Sequence, residues 1–175
     1  MTTTPRIQRM THAGLYVNDI EKSRRFYQDV LGLTETDNDS NAGLVFLSSN
    51  PADEHHMVVL IAGRTAHADA KLIQQIAFRC DTLADVIGYW KRFVAREVPI
   101  IYTITHGNAI SCYFRDPDSN VLEVYWATGL DARQGFLVEL DFSQPEEVVL
   151  EATRSAVEKY GQTGYVDLAV LQRQL

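Results

Sequence analysis

The chain has 175 residues, of which 46% are hydrophobic and 22% are charged, as expected for a globular protein with a hydrophobic core. Its formal net charge of -7 argues against nucleic acid or an anionic membrane surface as a partner. No apolar run is long enough to span a membrane, and residues 1–9 lack the apolar segment of a secretory signal. Two cysteines, Cys80 and Cys112, are too few for a disulfide framework. We therefore expect a cytoplasmic protein with reduced thiols.

The first half of the chain alternates strand and helix patterns. Residues 10–17 predict a strand, and the polar segment 18–21 then caps a helix. That helix is indicated by apolar residues at helical spacing, namely Ile20, Phe26, Tyr27, Val30 and Leu31. Gly32 should end it. Three short strands are predicted next, over residues 33–35, 43–48 and 56–62.

The second half repeats this order. A strand is predicted over residues 75–80, and the segment 81–85 again combines a cap with an acidic residue. The helical face that follows consists of Leu83, Val86, Ile87, Trp90, Phe93 and Val94. Three more strands are predicted over residues 99–104, 109–114 and 121–126. The sequence therefore predicts an α+β domain over residues 1–130, built from tandem βαβββ units at about 8–63 and 74–128.

Residues 131–175 fall outside the repeat and are interpreted as a C-terminal extension. The segment 143–146 resembles a capping box with Pro145 in the first turn, and it predicts a helix over about 144–160. Its apolar stripe would comprise Val148, Val149, Ala152 and Ala156. We expect this helix to pack on the domain or on a neighbouring subunit, and we expect no catalytic residue in it. A homodimer is the predicted assembly.

Three polar residues stand out against their apolar surroundings. His12 and Gln75 occupy equivalent places at the start of the first strand of each unit, and Glu123 lies within an otherwise apolar strand. Burying such groups costs free energy unless a partner or a cation satisfies them. A core histidine, a backbone-bonded glutamine and a solvent-facing glutamate are the alternative interpretations of each residue alone. Their related positions in the repeat favour a common site.

Two segments resemble the vicinal-oxygen-chelate superfamily, which includes glyoxalase I, bleomycin-resistance proteins and type I extradiol dioxygenases. The first segment carries His12 and its strand, then residues 25–27 and 30–33. The second is similar to the extradiol signature and carries His106, Cys112, Tyr113, Asp116, Pro117, Ser119 and Glu123. Cys112 stands where a larger side chain is usual, and Ser119 where Gly or Pro is usual. The resemblance covers about residues 8–130 and implies a curled mixed sheet.

The resemblance places His12 and Glu123 at metal-ligand positions. The third ligand of the extradiol enzymes is a histidine, and this chain has Gln75 there. An amide oxygen is a weaker donor than imidazole, although glutamine is a ligand in some glyoxalase I enzymes. The implied cofactor is a divalent metal ion, Fe(II) first, with Mn, Ni or Zn as open alternatives.

The histidine pair His55-His56 matches a pair in the extradiol family, where the second histidine transfers protons beside the substrate. The resemblance therefore implies catalytic roles for His56 and Tyr113, and substrate binding by His55 and His106. An imidazole suits proton transfer because its pKa lies near neutral pH. A polar loop after residues 51–54 is the alternative interpretation of the pair.

The leading functional hypothesis is a metal-dependent extradiol dioxygenase that cleaves a catecholic ring next to the diol. The first alternative is a glyoxalase- or epimerase-like enzyme that stabilises an enediolate on a metal, with His56 as a candidate fourth ligand. The second alternative is a metal-free binding protein of the bleomycin-resistance type. In each case the partner would be a small aromatic diol or another molecule with vicinal oxygens.

Overall fold

A computed structural model describes residues 5–67 and 69–173 of the chain. The chain divides into two compact units, Met1–His67 (unit 1) and Ala68–Leu175 (unit 2). Each unit contains the βαβββ order that the sequence predicts, so the expected α+β fold is confirmed. The C-terminal extension adds its own strands and helices to unit 2.

Unit 1 folds as a four-stranded sheet with one helical segment. Its elements are β1 (Ala13–Val17), α1 (Ile20–Arg25), a π-helical turn (Phe26–Val30), β2 (Thr34–Asp39), β3 (Leu44–Ser48) and β4 (Val58–Ala62). The strand order is β1-β4-β3-β2, in which β1 is parallel to β4 and the other pairs are antiparallel. Strand β2 is longer than predicted because its polar residues belong to an edge strand, whose composition hides the strand pattern.

Unit 2 repeats the arrangement and extends it. Its elements are β5 (Ile76–Arg79), α2 (Leu83–Ala95), β6 (Ile100–Thr105), β7 (Ala109–Arg115), β8 (Val121–Ala127), β9 (Phe136–Glu139), α3 (Glu146–Tyr160), β10 (Tyr165–Val166) and α4 (Leu168–Leu171). The order is β10-β9-β6-β7-β8-β5, with β5 parallel to β8 as β1 is to β4. The extension therefore continues the repeat's sheet beyond β6.

The helix boundaries follow from local sequence. The Asp19 carboxylate accepts a hydrogen bond from the Lys22 amide at 3.0 Å and begins α1. Gly32, with φ of 75°, donates its N–H to the Gln28 carbonyl at 2.9 Å and ends the helical segment, because glycine adopts positive φ at little cost. A capping box between Thr82 and Asp85 begins α2. The predicted caps at 18–21 and 81–85 are thus confirmed.

Each unit has its own core. In unit 1, Leu15 and Val17 of β1 are buried together with Tyr27 and Val30 of the helical segment. In unit 2, the ring centroids of Phe93 on α2 and Phe114 on β7 lie 4.2 Å apart and both residues are fully buried. Truncating a ring of this kind to alanine costs about 3–5 kcal/mol. These contacts fix the helical segment of unit 1 and α2 of unit 2 against their sheets, while Val170 of α4 packs with Tyr102 and Tyr113 on the other face of the unit 2 sheet.

The start of α3 differs from the prediction. Pro145 is its N-cap residue and provides no side-chain hydrogen bond. Ser143 bonds Asp141 instead, with its Oγ 2.6 Å from a carboxylate oxygen, so the predicted capping box is absent. The stripe is also shifted: Val149 and Thr153 are buried, whereas Val148 and Ala152 are exposed. A buried Thr hydroxyl bonds the Val149 carbonyl at 3.2 Å, which is why a polar residue replaces the expected alanine.

Across residues 5–67 and 69–173, every helix is too short or too polar to cross a membrane.

Candidate functional site in unit 2

One row of side chains crosses the four repeat strands of unit 2. Ala77 on β5 is opposite Glu123 on β8, Glu123 is opposite Tyr113 on β7, and Tyr113 is opposite Tyr102 on β6. Directly opposed residues place their side chains on the same face of a sheet. The ring centroids of Tyr102 and Tyr113 accordingly lie 4.9 Å apart. The row brings a carboxylate and two phenols together in an apolar sheet.

Glu123 is buried, with 5% of its surface exposed. Its carboxylate accepts a hydrogen bond from the Gln75 side-chain amide at 2.6 Å. Gln75 is half-buried and directly precedes β5, as His12 directly precedes β1. Since the amide nitrogen of Gln75 is used by Glu123, its amide oxygen is left as a donor atom for a cation.

Tyr113 connects the carboxylate to His106. The Tyr113 hydroxyl lies 3.1 Å from His106 Nε2, and His106 Nδ1 lies 2.7 Å from the carbonyl oxygen of Phe136. Burial, and next the charge of Glu123, raise the pKa of Tyr113 well above its usual range. Burial likewise raises the pKa of Tyr102 to about 12, with a smaller contribution from Glu123. Both phenols therefore remain protonated donors at neutral pH.

A cavity of about 270 Å³ opens over this row. It is lined by Gln75, Ala77, His106, Asn108, Ala109, Tyr113, Glu123, Tyr125 and Gln134. A cavity near 300 Å³ is at the small end of ligand sites. A larger cavity of about 760 Å³ lies elsewhere in unit 2, between residues 69–74 and the turn after β7, and none of the predicted site residues lines it.

The C-terminal extension contributes to this cavity, which the sequence did not predict. Gln134 lines it, and Phe136 supplies the carbonyl that binds His106. A backbone carbonyl has no sequence signature, and Gln134 lies in a segment without a motif. Only the sheet pairing of β9 with β6 brings these residues to the site.

Unit 1 holds a second group of predicted residues. The ring centroids of His12 and His56 lie 4.6 Å apart, and the Nδ1 atoms of His55 and His56 are 3.0 Å apart. The Phe46 ring lies 5.2 Å from the His56 ring. His12 and His55 are exposed, and His56 is half-buried. Burial, and next the neighbouring charges of His12 and His55, lower the pKa of His56, which favours its neutral form.

The predicted site residues thus form two groups. Gln75, His106, Tyr113 and Glu123 meet in unit 2, and His12, His55 and His56 meet in unit 1. Among the described residues, no three His, Cys, Asp or Glu side chains are grouped so as to hold a metal ion. The predicted ligand set of His12, Gln75 and Glu123 contains an imidazole, an amide and a carboxylate. Carboxylate, amide oxygen and imidazole are all accepted by divalent first-row metals, so the donor chemistry fits such an ion.

Residues 9–124 match the Glyoxalase/Bleomycin resistance protein/Dioxygenase superfamily, and the chain belongs to it. Members of this superfamily typically bind a divalent metal ion, and the fold described above is the vicinal-oxygen-chelate fold.

The chain is similar to two curated relatives and one solved structure of known description. Biphenyl-2,3-diol 1,2-dioxygenase 3 of Rhodococcus globerulus is 30% identical over 71% of this chain and 64% of its own length. A manganese-dependent 2,3-dihydroxybiphenyl 1,2-dioxygenase of Geobacillus genomosp. 3 is 27% identical over 70% of this chain and 38% of its own length. The chain therefore spans less than two thirds of either dioxygenase. A lactoylglutathione lyase from Agrobacterium tumefaciens superposes with a TM-score of 0.54 at 25% identity, over 69% of this chain and 94% of its own.

Proposed function

We propose that the protein is an extradiol-type dioxygenase that cleaves a catecholic ring next to its two hydroxyl groups. The observation that supports this most is the buried Glu123 carboxylate, bonded by Gln75 and adjoining the Tyr113–His106 pair in one small cavity. A diol needs an anionic anchor for a metal and hydrogen-bonding groups for its oxygens, and this cavity offers both. The similarity to two diol dioxygenases supports the same activity.

His12, Gln75 and Glu123 are the proposed metal ligands, and Fe(II) is the proposed ion. When bound, the metal would supply Lewis-acid and redox chemistry to the diol and to dioxygen. Manganese remains an alternative, because a relative depends on it by name. The exposed position of His12 leaves its imidazole accessible to an ion.

The chain's own residues would bind the diol and manage its protons. Tyr113 would hydrogen-bond a substrate oxygen over the unit 2 cavity, and His106 would take part in binding through its contact with Tyr113. His56, neutral because its pKa is lowered, accepts a proton as the diol ionises. Its Nδ1 faces His55, so Nε2 is the nitrogen that remains for the substrate. His55 would thereby orient the general base and take part in binding.

The test is a metal and substrate panel on the full chain. Protein purified anaerobically without added metal is analysed for its elements, then loaded separately with Fe(II), Mn(II), Ni(II) or Zn(II). Each sample is mixed with catechol, 3-methylcatechol and 2,3-dihydroxybiphenyl while oxygen uptake and the yellow ring-cleavage product are followed. We expect oxygen uptake that matches product formation with iron or manganese. Metal-loaded protein that consumes no oxygen with any diol would contradict the proposal.

A glyoxalase- or epimerase-like activity is the second candidate. The observation that favours it is the 4.6 Å separation of the His12 and His56 rings, which is short enough for both imidazoles to bind one ion. Such an enzyme would work with Ni(II) or Zn(II) and consume no oxygen. Deuterium exchange at the carbon beside a substrate carbonyl, measured with the same metal-loaded samples, separates it from ring cleavage. A protein that retains no metal and turns over nothing would point to the binding-protein alternative.

A further inference from the structure

The orientation of His106 is fixed by a partner that can only accept hydrogen bonds. His106 Nδ1 is 2.7 Å from the Phe136 carbonyl oxygen, so Nδ1 must carry a proton. In the neutral imidazole, Nε2 is then an acceptor. In the hydrogen bond between Nε2 and the Tyr113 hydroxyl, which lie 3.1 Å apart, Tyr113 is therefore the donor. One backbone carbonyl thus sets the direction of two successive hydrogen bonds.

That carbonyl is held firmly against the loop that carries His106. Strand β9 pairs with β6, where Val138 is opposite Thr105, the residue before His106. The Gln134 side-chain nitrogen donates to the carbonyls of His106 and Ala132, both at 3.2 Å. Gly107, with φ of 75°, packs so closely on Ala132 that a Cβ there would collide with the Ala132 side chain. The two segments are therefore closely packed as well as hydrogen-bonded to each other.

We infer that the segment 132–139 is a positioning element of the site, which holds His106 in the Nδ1-protonated form through the Phe136 carbonyl and the Gln134 amide. This segment lies outside the family match, which covers residues 9–124. Its effect on catalysis rests on the proposed function, whereas its effect on His106 does not. Gln134 and Phe136 act through His106 and are positioning residues.

The consequence for recognition follows from where the Tyr113 proton goes. The buried Glu123 carboxylate is a second acceptor near the same hydroxyl. With His106 Nε2 held as an acceptor, Nε2 and the Glu123 carboxylate both accept from the Tyr113 hydroxyl, and the phenol oxygen keeps a lone pair for the cavity. Tyr113 then accepts a hydrogen bond from a substrate hydroxyl. A free hydroxyl would be bound in preference to a methyl ether at that position.

The direct test reads the protonated nitrogen of His106 by long-range ¹H–¹⁵N correlation in the full, metal-free chain at about pH 8. The chain has only five histidines, so the His106 signals can be assigned by comparison with His106→Gln. We expect Nδ1 to be protonated in the wild-type protein. We expect the same in Tyr113→Phe, because the Phe136 carbonyl is untouched. Protonation at Nε2 in either protein, or at both nitrogens, would overturn the inference.

A matched pair of variants tests Gln134. Gln134→Leu removes the amide that bonds His106, while Gln144→Leu removes an amide of the same extension that bonds Asp141 at 3.0 Å. We expect mixed protonation of His106 and a kcat about 10-fold lower, with little change in KM, in Gln134→Leu alone. Equal His106 spectra in the two variants would remove Gln134 from the positioning role. A fixed His106 in a protein that cleaves no diol would retain this inference and reject the proposed function.

Discussion

The four repeat strands have the same order in unit 1 and unit 2, but the two units place different side chains at the same register positions. The corresponding rows are Gly14, Val59, Phe46 and Asp37 in unit 1, and Ala77, Glu123, Tyr113 and Tyr102 in unit 2. Where unit 2 has a buried carboxylate beside a phenol, unit 1 has a valine beside a phenylalanine. The polar groups of unit 1 are instead imidazoles that precede its strands.

This difference shows that the βαβββ backbone supplies positions and leaves the chemistry to the residues at those positions. Unit 2 could hold an anion-bearing row because Gln75 and Tyr113 satisfy the Glu123 carboxylate. Unit 1 has Val59 and Phe46 in place of the carboxylate and the phenol, and its histidines lie where a neutral base is accessible. Substitutions that make one unit more like the other test what each unit contributes to the site.

The largest effect is expected from Glu123→Gln, which removes the buried charge at the position where unit 1 has the uncharged Val59. It removes the one anionic group of the proposed ligand set, so metal retention should be lost and turnover should become undetectable. Elemental analysis and oxygen uptake measure both. Glu151→Gln is the control, because Glu151 is an exposed carboxylate on α3 with only a 3.9 Å ion pair to Arg154. Retained metal in Glu123→Gln would remove Glu123 from the ligand set.

The next effect concerns the histidines of unit 1. His56→Ala should retain the metal but lower the rate by about 10²–10⁴-fold, the usual scale for a general acid–base group. His67→Ala is the matched control, since His67 is an exposed histidine of the same unit. Loss of metal together with rate in His56→Ala would instead make His56 a ligand and favour the glyoxalase-like alternative.

A smaller effect is expected when the residue that precedes the first strand is made the same in both units. Gln75→His gives unit 2 the residue that unit 1 has at His12. Because imidazole is a stronger donor than an amide, iron affinity and ring cleavage should rise about 10-fold, equivalent to about 1.4 kcal/mol. Gln74→His, at the exposed neighbouring position, is the control. Higher iron content without any ring cleavage would indicate a site suited to Lewis-acid chemistry.

The sequence predicted the features that depend on local pattern. The repeat order, the caps at Asp19 and Thr82, and the burial of Glu123 follow from periodicity, side-chain hydrogen bonds and an isolated charge in an apolar strand. The metal ligands and the roles of the histidines stay predictions, because they came from the family resemblance.

The features that the sequence missed depend on tertiary pairing. Strands β9 and β10 are too short to show a pattern. Strand β9 forms because β6 offers an open edge, and β10 then pairs with β9. The Phe136 carbonyl reaches His106 only through that pairing. On α3, the predicted stripe was wrong at Val148 and Ala152, which are exposed, whereas Val149 is buried as predicted and Thr153 is buried with its hydroxyl bonded within the helix.

The smallest expected effect is on stability at alkaline pH, above the physiological range. It concerns the residue at the end of each row. The end position is an exposed Asp37 in unit 1 and a buried Tyr102 in unit 2, whose pKa is raised to about 12. The usual tyrosine pKa is about 10, so between about pH 10 and 12 the folded protein holds a proton that the unfolded chain has lost. Stability therefore falls as pH rises through this window, and is fully present below it.

Tyr102 should account for roughly 1–2 kcal/mol of that fall between about pH 10 and 11.5. Urea unfolding at several pH values in this window measures it. Tyr102→Phe should reduce the slope without abolishing it, because the pKa of Tyr113 is also raised by burial and Tyr113 remains. Tyr102→Phe combined with Tyr113→Phe should be flatter still. If the single variant loses stability with pH as steeply as the wild-type protein, the alkaline sensitivity does not originate in the unit 2 row.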